Sequence, residues 1–277
     1  MPVLCESAGG AHGDGDRLAT WYSERGPTVS APRFAGQTVI VTGAGSGIGK
    51  ATAVRVASEG GKVVAADVMA DRLAELKAEY PALDIITVAG DITNDYDITA
   101  IVAAAGGPVH GLANVAGVMD SFQPAHEIDW KQWDFVLAVN LTATAKLMAA
   151  VLPGMLEAGA GSIVNVSSEA GLRGSAAGAA YTASKHAVIG LSKNSAVMYG
   201  KKGIRVNVVA PGAVQTNIEA TFASALAGEV LGPFMRVVIP GVAQPEELAA
   251  SIAWLLSDDS SNVNGAVLAN DGGWSAV

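Results

Sequence analysis

Tyr181 and Lys185 stand four residues apart in Tyr-Thr-Ala-Ser-Lys, and Ser168 lies thirteen residues upstream of the tyrosine in Val-Asn-Val-Ser-Ser. On a helix, positions i and i+4 share one face, so this spacing sets an ammonium beside a phenol. A phenol in water titrates near pH ~10 and is a poor base at neutral pH. A cation within a few ångströms favours the phenolate and can lower its pKa by roughly 1–3. A hydroxyl at the end of a preceding strand can then hold a substrate oxygen against that base. The chemistry in prospect is proton transfer at an oxygen. Tyr-x-x-x-Lys alone also fits an ordinary amphipathic helix, so other residues must decide.

A second constellation lies near the start. A β-branched run ends in Thr42-Gly-Ala-Gly-Ser-Gly-Ile-Gly49 and passes into a helical pattern. Such a turn lets backbone approach a pyrophosphate, whose charge meets the helix N-terminus. Gly43, Gly47 and Gly49 read Gly-x-x-x-Gly-x-Gly rather than the commoner Gly-x-Gly-x-x-Gly. Asp67, eighteen residues past Gly49, ends the second strand. An acid there accepts from adenosine ribose hydroxyls and repels a 2′-phosphate, which favours NAD over NADP. Asp91-Ile92 after the third strand can face adenine, and Asn114-Val-Ala-Gly117 after the fourth can pass close to the cofactor.

These residues need a scaffold, and the pattern from Gln37 onward supplies one. Strands are predicted at 38–42, 62–66, 85–89, 111–115, 162–166, 205–209 and 266–269. Helices are predicted between them at 48–59, 70–79, 95–105, 130–158, 179–199 and 245–256. Strands alternating with helices imply right-handed crossovers and an α/β, Rossmann-type, doubly wound parallel seven-stranded sheet, with ligands beyond the strand C-termini. Every residue named above falls at such an end. Residues 1–34 lack periodicity and read as a flexible extension, and 35–277 read as one domain.

Composition narrows the class. The chain is 50% hydrophobic and 16% charged with mean hydropathy +0.35, which fits a sheet covered on both faces or an oligomer hiding helix faces. A net charge of −9 without a basic stripe argues against nucleic acid. One cysteine excludes a disulfide framework, and four scattered histidines offer no metal cluster. Lys146 and Glu157 interrupt the longest apolar run, so no membrane span is expected, and the acidic N-terminus does not read as a signal peptide. A cytoplasmic protein is the expectation.

Taken together, Thr42-Gly-x-x-x-Gly-x-Gly49, Asp91, Asn114-x-Ala-Gly117, Asn140, Ser168, Tyr181-x-x-x-Lys185, Pro211-Gly212 and Asp271-Gly-Gly273 resemble the short-chain dehydrogenase/reductase family over about residues 35–273. The resemblance implies a metal-free NAD(H)-dependent oxidoreductase acting between a secondary alcohol and a ketone. Tyr181 would be the acid/base, Ser168 would polarise the substrate oxygen, Lys185 would lower the tyrosine pKa and hold the nicotinamide ribose, and Asn140 would help fix a relay water. Ser168 is preferred to Ser167 by the family spacing. The implied cofactor contacts are Gly43, Ser46, Gly47, Ile48, Gly49, Asp67, Asp91, Ile92, Asn114, Ala116, Gly117, Tyr181, Lys185, Pro211, Gly212, Val214 and Thr216.

Departures from the family pattern are Val115 in place of a frequent Asn, Ser46 where NADP-preferring relatives often carry Arg, and the absence of an Arg in Ile239–Gln244. Arg72 is the nearby basic residue that speaks for NADP. The apolar segment at about 216–240 corresponds to a mobile lid, with an ordinary helical hairpin as the other reading. As a lid it suits an apolar alcohol or ketone, with Met119, Phe122, Glu169 and Arg173 as further lining candidates and a surface pair as the favoured reading of Glu169 and Arg173. A homotetramer is expected from the family and from the long apolar helices. The alternatives are an NADPH-dependent ketoreductase, such as a 3-oxoacyl-thioester reductase, and a non-catalytic nucleotide-binding protein.

Overall fold

The computed structural model describes residues 32–218 and 221–276. Its strands are β1 (Thr38–Thr42), β2 (Lys62–Asp67), β3 (Ile85–Ala89), β4 (Gly111–Asn114), β5 (Gly161–Val166), β6 (Ile204–Pro211) and β7 (Val267–Asn270). They form one sheet in the order β3-β2-β1-β4-β5-β6-β7, and every neighbouring pair is parallel. The order reverses between β1 and β4, which opens a crevice at their C-terminal ends.

β1 is buried at all five positions, as a strand covered on both faces must be. One face packs Val39, Val41, Val63 and Val164 against Leu248 and Ile252. The other packs Ile40, Val64, Leu112 and Ile163 against Leu147, Val151 and Met155. The covering helices are α1 (Gly47–Ser58), α2 (Ala70–Glu79), α3 (Asp95–Ala103), α4 (Trp130–Leu137), α5 (Ala143–Ala158), α6 (Ala179–Gly200), α7 (Ala225–Val238) and α8 (Pro245–Leu256). Local chemistry sets several ends. Asn94 Oδ1 caps α3 by accepting from Tyr96 N, a Gln244/Glu247 capping box precedes Pro245 on α8, and left-handed Gly159 closes α5.

Three expectations change. The single helix predicted over 130–158 is broken by a π-helical stretch, Ala138–Thr142, between α4 and α5. The stretch holds Asn140, whose tertiary contacts are described below and which apolar periodicity cannot report. The same 130–158 stretch is long and apolar enough to cross a bilayer, with mean hydropathy 1.8 over an 18-residue window despite Lys146 and Glu157. Here it is a core helix pair: Leu147, Val151 and Met155 are buried, and Lys146 Nζ meets Asp95 Oδ1 at 2.7 Å. The domain also starts earlier than composition suggests. Phe34 is fully buried in the core and Arg33 Nη2 donates to Glu59 Oε1 at 2.8 Å, so 32–34 belong to the fold. Residues 1–31 of the expected extension lie outside the described residues.

Candidate active site

A cavity of about 530 Å³ opens at the C-terminal ends of β1, β2 and β4. Gly43, Ser46, Gly47, Ile48, Gly49, Asp67, Asp91, Ile92, Ala116, Gly117 and Thr216 all line it. The glycines are there for want of space. A Cβ on Gly49 would fall 2.0 Å from the Gly43 carbonyl oxygen, and one on Gly43 would fall 2.9 Å from Ala116 Cα. Gly43 and Gly47 also take φ +66° and +51°. Ser46, the residue before α1, makes no side-chain cap, so the first N–H groups of α1 keep their capacity for an anion. Thr42 Oγ1 accepts from Val115 N (3.1 Å) and Ala116 N (3.2 Å), which pins the end of β4 to β1. At the cavity edge, Asp67 Oδ2 accepts from Gly45 N and Oδ1 from Met69 N, both at 2.9 Å. The residues present therefore fit a dinucleotide: a glycine-walled cradle, an uncapped helix N-terminus and a strand-end carboxylate.

Some expected contacts lie elsewhere. Asn114 does not line the cavity. It is buried beneath it, where Nδ2 donates to Asn165 Oδ1 (2.8 Å), and Asn165 Nδ2 in turn donates to Ser192 Oγ (2.8 Å). Pro211 closes β6, Gly212 packs on Asp271, and Val214 pairs with Ala243 in an isolated bridge. All three lie at the C-terminal end of β6 or just after it. The cavity also includes Arg72, Met119 and Ile218, which the motifs do not mark. Arg72 is one turn into α2, and its Cβ lies so near Gly45 that a side chain there would not fit.

The residues expected to handle the proton converge beside this cavity, where a Cβ on Gly117 of its lining would fall 3.4 Å from Lys185 Nζ. Tyr181 and Lys185 are both buried on α6, with Lys185 Nζ 5.4 Å from the phenol ring centre. Nζ donates to Val166 O at 3.0 Å. Ser168, two residues after β5, lies close enough to the Tyr181 hydroxyl to lower its pKa, and its Oγ accepts from Ala170 N at 3.1 Å. Ser167 faces away, donating to Lys185 O at 2.9 Å. Asn140 turns its amide onto the loop after β4: Oδ1 accepts from Val118 N, and Nδ2 donates to Val118 O, both at 2.9 Å. Nδ2 also reaches Ser184 Oγ at 3.1 Å, so one amide ties the π-helical stretch, that loop and α6 together.

Burial dominates the electrostatics here. The Tyr181 phenol is pushed up to about 12, chiefly by desolvation, which the nearby Ser168 hydroxyl opposes and the Asp120 charge reinforces. The expected depression by Lys185 does not appear among the causes of this shift. Desolvation also pushes the Lys185 ammonium down to about 8. Between pH 8 and about 10 the unfolded lysine binds a proton that the folded one has lost, so stability rises with pH over this window. Above about pH 10 the raised Tyr181 pKa acts in the opposite direction. Urea unfolding of the wild type and Lys185→Met at pH 7.5 and 10 is expected to show a relative wild-type gain of roughly 2–3 kcal/mol at the higher pH.

An apolar cavity of about 330 Å³ lies against the first turn of α6, walled by Phe122, Ala177 and Thr182 and by Leu226, Val230 and Leu231 of α7. Met235 and Val238 of α7, with Ile239, pack on the buried cluster that contains Tyr181 and Trp274. The segment expected at 216–240 thus covers the phenol, while Glu219 and Ala220 within it lie outside the described residues. Phe234 stays exposed. Glu169 and Arg173 do pair (Nε–Oε1 2.6 Å), but Glu169 is fully buried rather than on the surface, and burial raises its carboxyl pKa. His110 Nδ1 accepts from Thr38 N at 2.9 Å and His186 is exposed on α6, so both are structural or solvated. Among the described residues no group of three or more His, Cys, Asp or Glu could hold a metal.

Residues 37–227 match the family model for short chain dehydrogenase. The chain is 42% identical over 252 residues to short-chain dehydrogenase/reductase cdmF of Talaromyces verruculosus, covering 86% of this chain and 97% of that one. It is 39% identical over 261 residues to 3beta-hydroxysteroid dehydrogenase 2 of Eggerthella lenta, covering 88% and 97%. Among solved structures it resembles a short chain dehydrogenase from Mycobacterium paratuberculosis bound to NAD, with TM-score 0.80, 31% identity and coverage of 88% and 100%. It also resembles a putative NAD(P) dependent gluconate 5-dehydrogenase from Beutenbergia cavernae with bound NADP at low occupancy, with TM-score 0.78, 35% identity and coverage of 89% and 100%.

Proposed function

The chain belongs to the short-chain dehydrogenase family, and on that premise we propose that it is an NAD(H)-dependent oxidoreductase interconverting an apolar secondary alcohol and its ketone, with Tyr181 as the acid/base. The observation that carries this reading is the Tyr181 phenol, buried on α6 with Lys185 Nζ 5.4 Å from its ring and Ser168 near enough to act on its hydroxyl. Gly43, Gly47, Gly49 and the α1 N-terminus would hold the pyrophosphate, Asp67 the adenosine ribose, and Lys185 the nicotinamide ribose. When bound, the nicotinamide would supply or accept the hydride.

The protein's own part is the proton. In reduction, Ser168 and Tyr181 donate to the ketone oxygen and stabilise its developing charge, and Tyr181 gives up its proton as the alcohol forms. In oxidation the proton moves the other way, from alcohol to phenolate. A phenol held at about 12 is protonated at neutral pH, so the site is poised as an acid; an ammonium on Lys185, 5.4 Å from the ring, would favour the phenolate once the proton has left. Asn140 braces α6 to the loop after β4 and would steady a relay water beside Lys185.

The apolar walls of the second cavity support a ring or chain alcohol over a highly charged substrate, in line with a hydroxysteroid dehydrogenase among the relatives. Arg72 beside Asp67 favours a second reading, an NADPH-dependent ketoreductase, since a guanidinium there can meet a 2′-phosphate. Val197 and Met198 on α6 are 79% and 63% exposed, which supports burial against further copies in a homotetramer. The low cysteine content fits the cytoplasm. A panel of alcohols and ketones followed at 340 nm with NAD(H) tests the proposal. Turnover is expected with apolar cyclic or aliphatic members, and turnover confined to polyhydroxy acids would overturn the substrate class.

A further inference from the structure

The loop after β4 carries a buried carboxylate that the chemistry above leaves unused. Asp120 is 4% exposed and accepts three backbone hydrogen bonds. Its Oδ1 takes Phe122 N and Gly178 N, each at 3.0 Å, and its Oδ2 takes Tyr181 N at 2.9 Å. Helix α6 is therefore capped from a distant loop. Gly178 before it has no side chain to offer, and Gln123 O accepts the Ala179 N–H at 2.9 Å. A carboxylate in this place satisfies first-turn N–H groups and meets the positive end of the helix. Gly178 has to be glycine, since a Cβ would fall 2.6 Å from Asp120 Oδ2.

The same carboxylate holds Phe122 at φ +57°, the one positive φ among the described non-glycine residues. A bulky residue keeps that conformation only where its surroundings over-determine it. The Phe122 ring is buried and stacks on Phe222, centroids 4.1 Å apart and planes 16° apart. Alongside, Ala223 N donates to Ser121 O at 3.1 Å. One side chain thus joins the backbone of Tyr181 to the surface on which the segment leading into α7 is seated.

We propose that Asp120 is a positioning residue that fixes the first turn of α6, and so the Tyr181 phenol, and that transmits to it the seating of Phe222 on Phe122. This rests on the reading of Tyr181 as the acid/base. A misplacement of about 1 Å at a reacting group costs on the order of 10²-fold in rate.

The test is steady-state kinetics at saturating NADH with the best ketone of the panel, on wild type, Asp120→Asn, Phe222→Ala and the double variant, with NADH affinity by fluorescence and folded fraction by circular dichroism. Asp120→Asn is expected to lower kcat per folded site about 10-fold or more while NADH affinity stays within about twofold. Phe222→Ala is expected to lower kcat about threefold as well as raise KM, and to add little in the Asp120→Asn background. Unchanged kcat per folded site in Asp120→Asn, or effects that simply multiply, would overturn the proposal. If Asp120→Asn does not fold, Phe222→Ala decides alone, because a change confined to KM removes the coupling. A wild type without turnover on any ketone would instead sink the functional reading beneath it.

Discussion

Replacing Tyr181 with Phe lowers turnover by about 10²–10⁴-fold while NADH continues to bind. The ring itself is core: it packs with Ala170, Ala176, Ala177 and Trp274, and Phe keeps those contacts. What leaves is one hydroxyl beside Ser168, a stability change of about 1 kcal/mol at most, so the variant should melt close to the wild type. The rate falls because the carbonyl oxygen loses its proton donor, and Ser168 can polarise that oxygen but supplies no proton to the finished alcohol. The measurement is kcat at saturating NADH and ketone, paired with NADH titration by fluorescence. Turnover within a factor of about three of the wild type would refute the acid/base role.

Asp67→Ser shifts the ratio of kcat/KM for NADPH over NADH upward by about 100-fold. The carboxylate is held at the end of β2 by Gly45 N and Met69 N, so it cannot swing away from a phosphate placed on the ribose. Like charges forced together cost several kcal/mol, and removing one partner removes that cost. Arg72 lines the same cavity and is then free of a competing acid, so its guanidinium can meet the 2′-phosphate. Initial rates with both cofactors on wild type and variant check this. A wild type that already prefers NADPH would show that Arg72, not Asp67, governs the pocket.

Much of the frame was legible in the chain. Seven β-branched runs alternating with helical stretches give the strand count and the parallel arrangement, because a strand covered on both faces reads as a continuous apolar run. The glycine spacing gave the cradle for the same kind of reason: Gly49 sits where a Cβ would overlap a carbonyl, a constraint that fixes residue type directly. The reading of Glu169 was less successful. A charged pair four residues apart looks like surface, and only the 3D packing puts Glu169 inside.

Residue identity alone determined the order of the strands along the chain, the glycine turn, and the face shared by Tyr181 and Lys185. These follow from backbone periodicity and from steric limits that act within a few residues. Tertiary structure decided the rest. The π-helical stretch at Ala138–Thr142 carries Asn140, which reaches Val118 across the site, and Asn114 lies under the cavity bonded to Asn165, which in turn bonds Ser192. The phenol pushed up to about 12 and the ammonium down to about 8 depend on how much protein surrounds each group. Asp120 is the plainest case: its partners Gly178 and Tyr181 are 58 and 61 residues away, and no local pattern marks an acid whose hydrogen bonds come from another element. Desolvation and long-range capping are sums over neighbours, and neighbours are known only once the chain has folded.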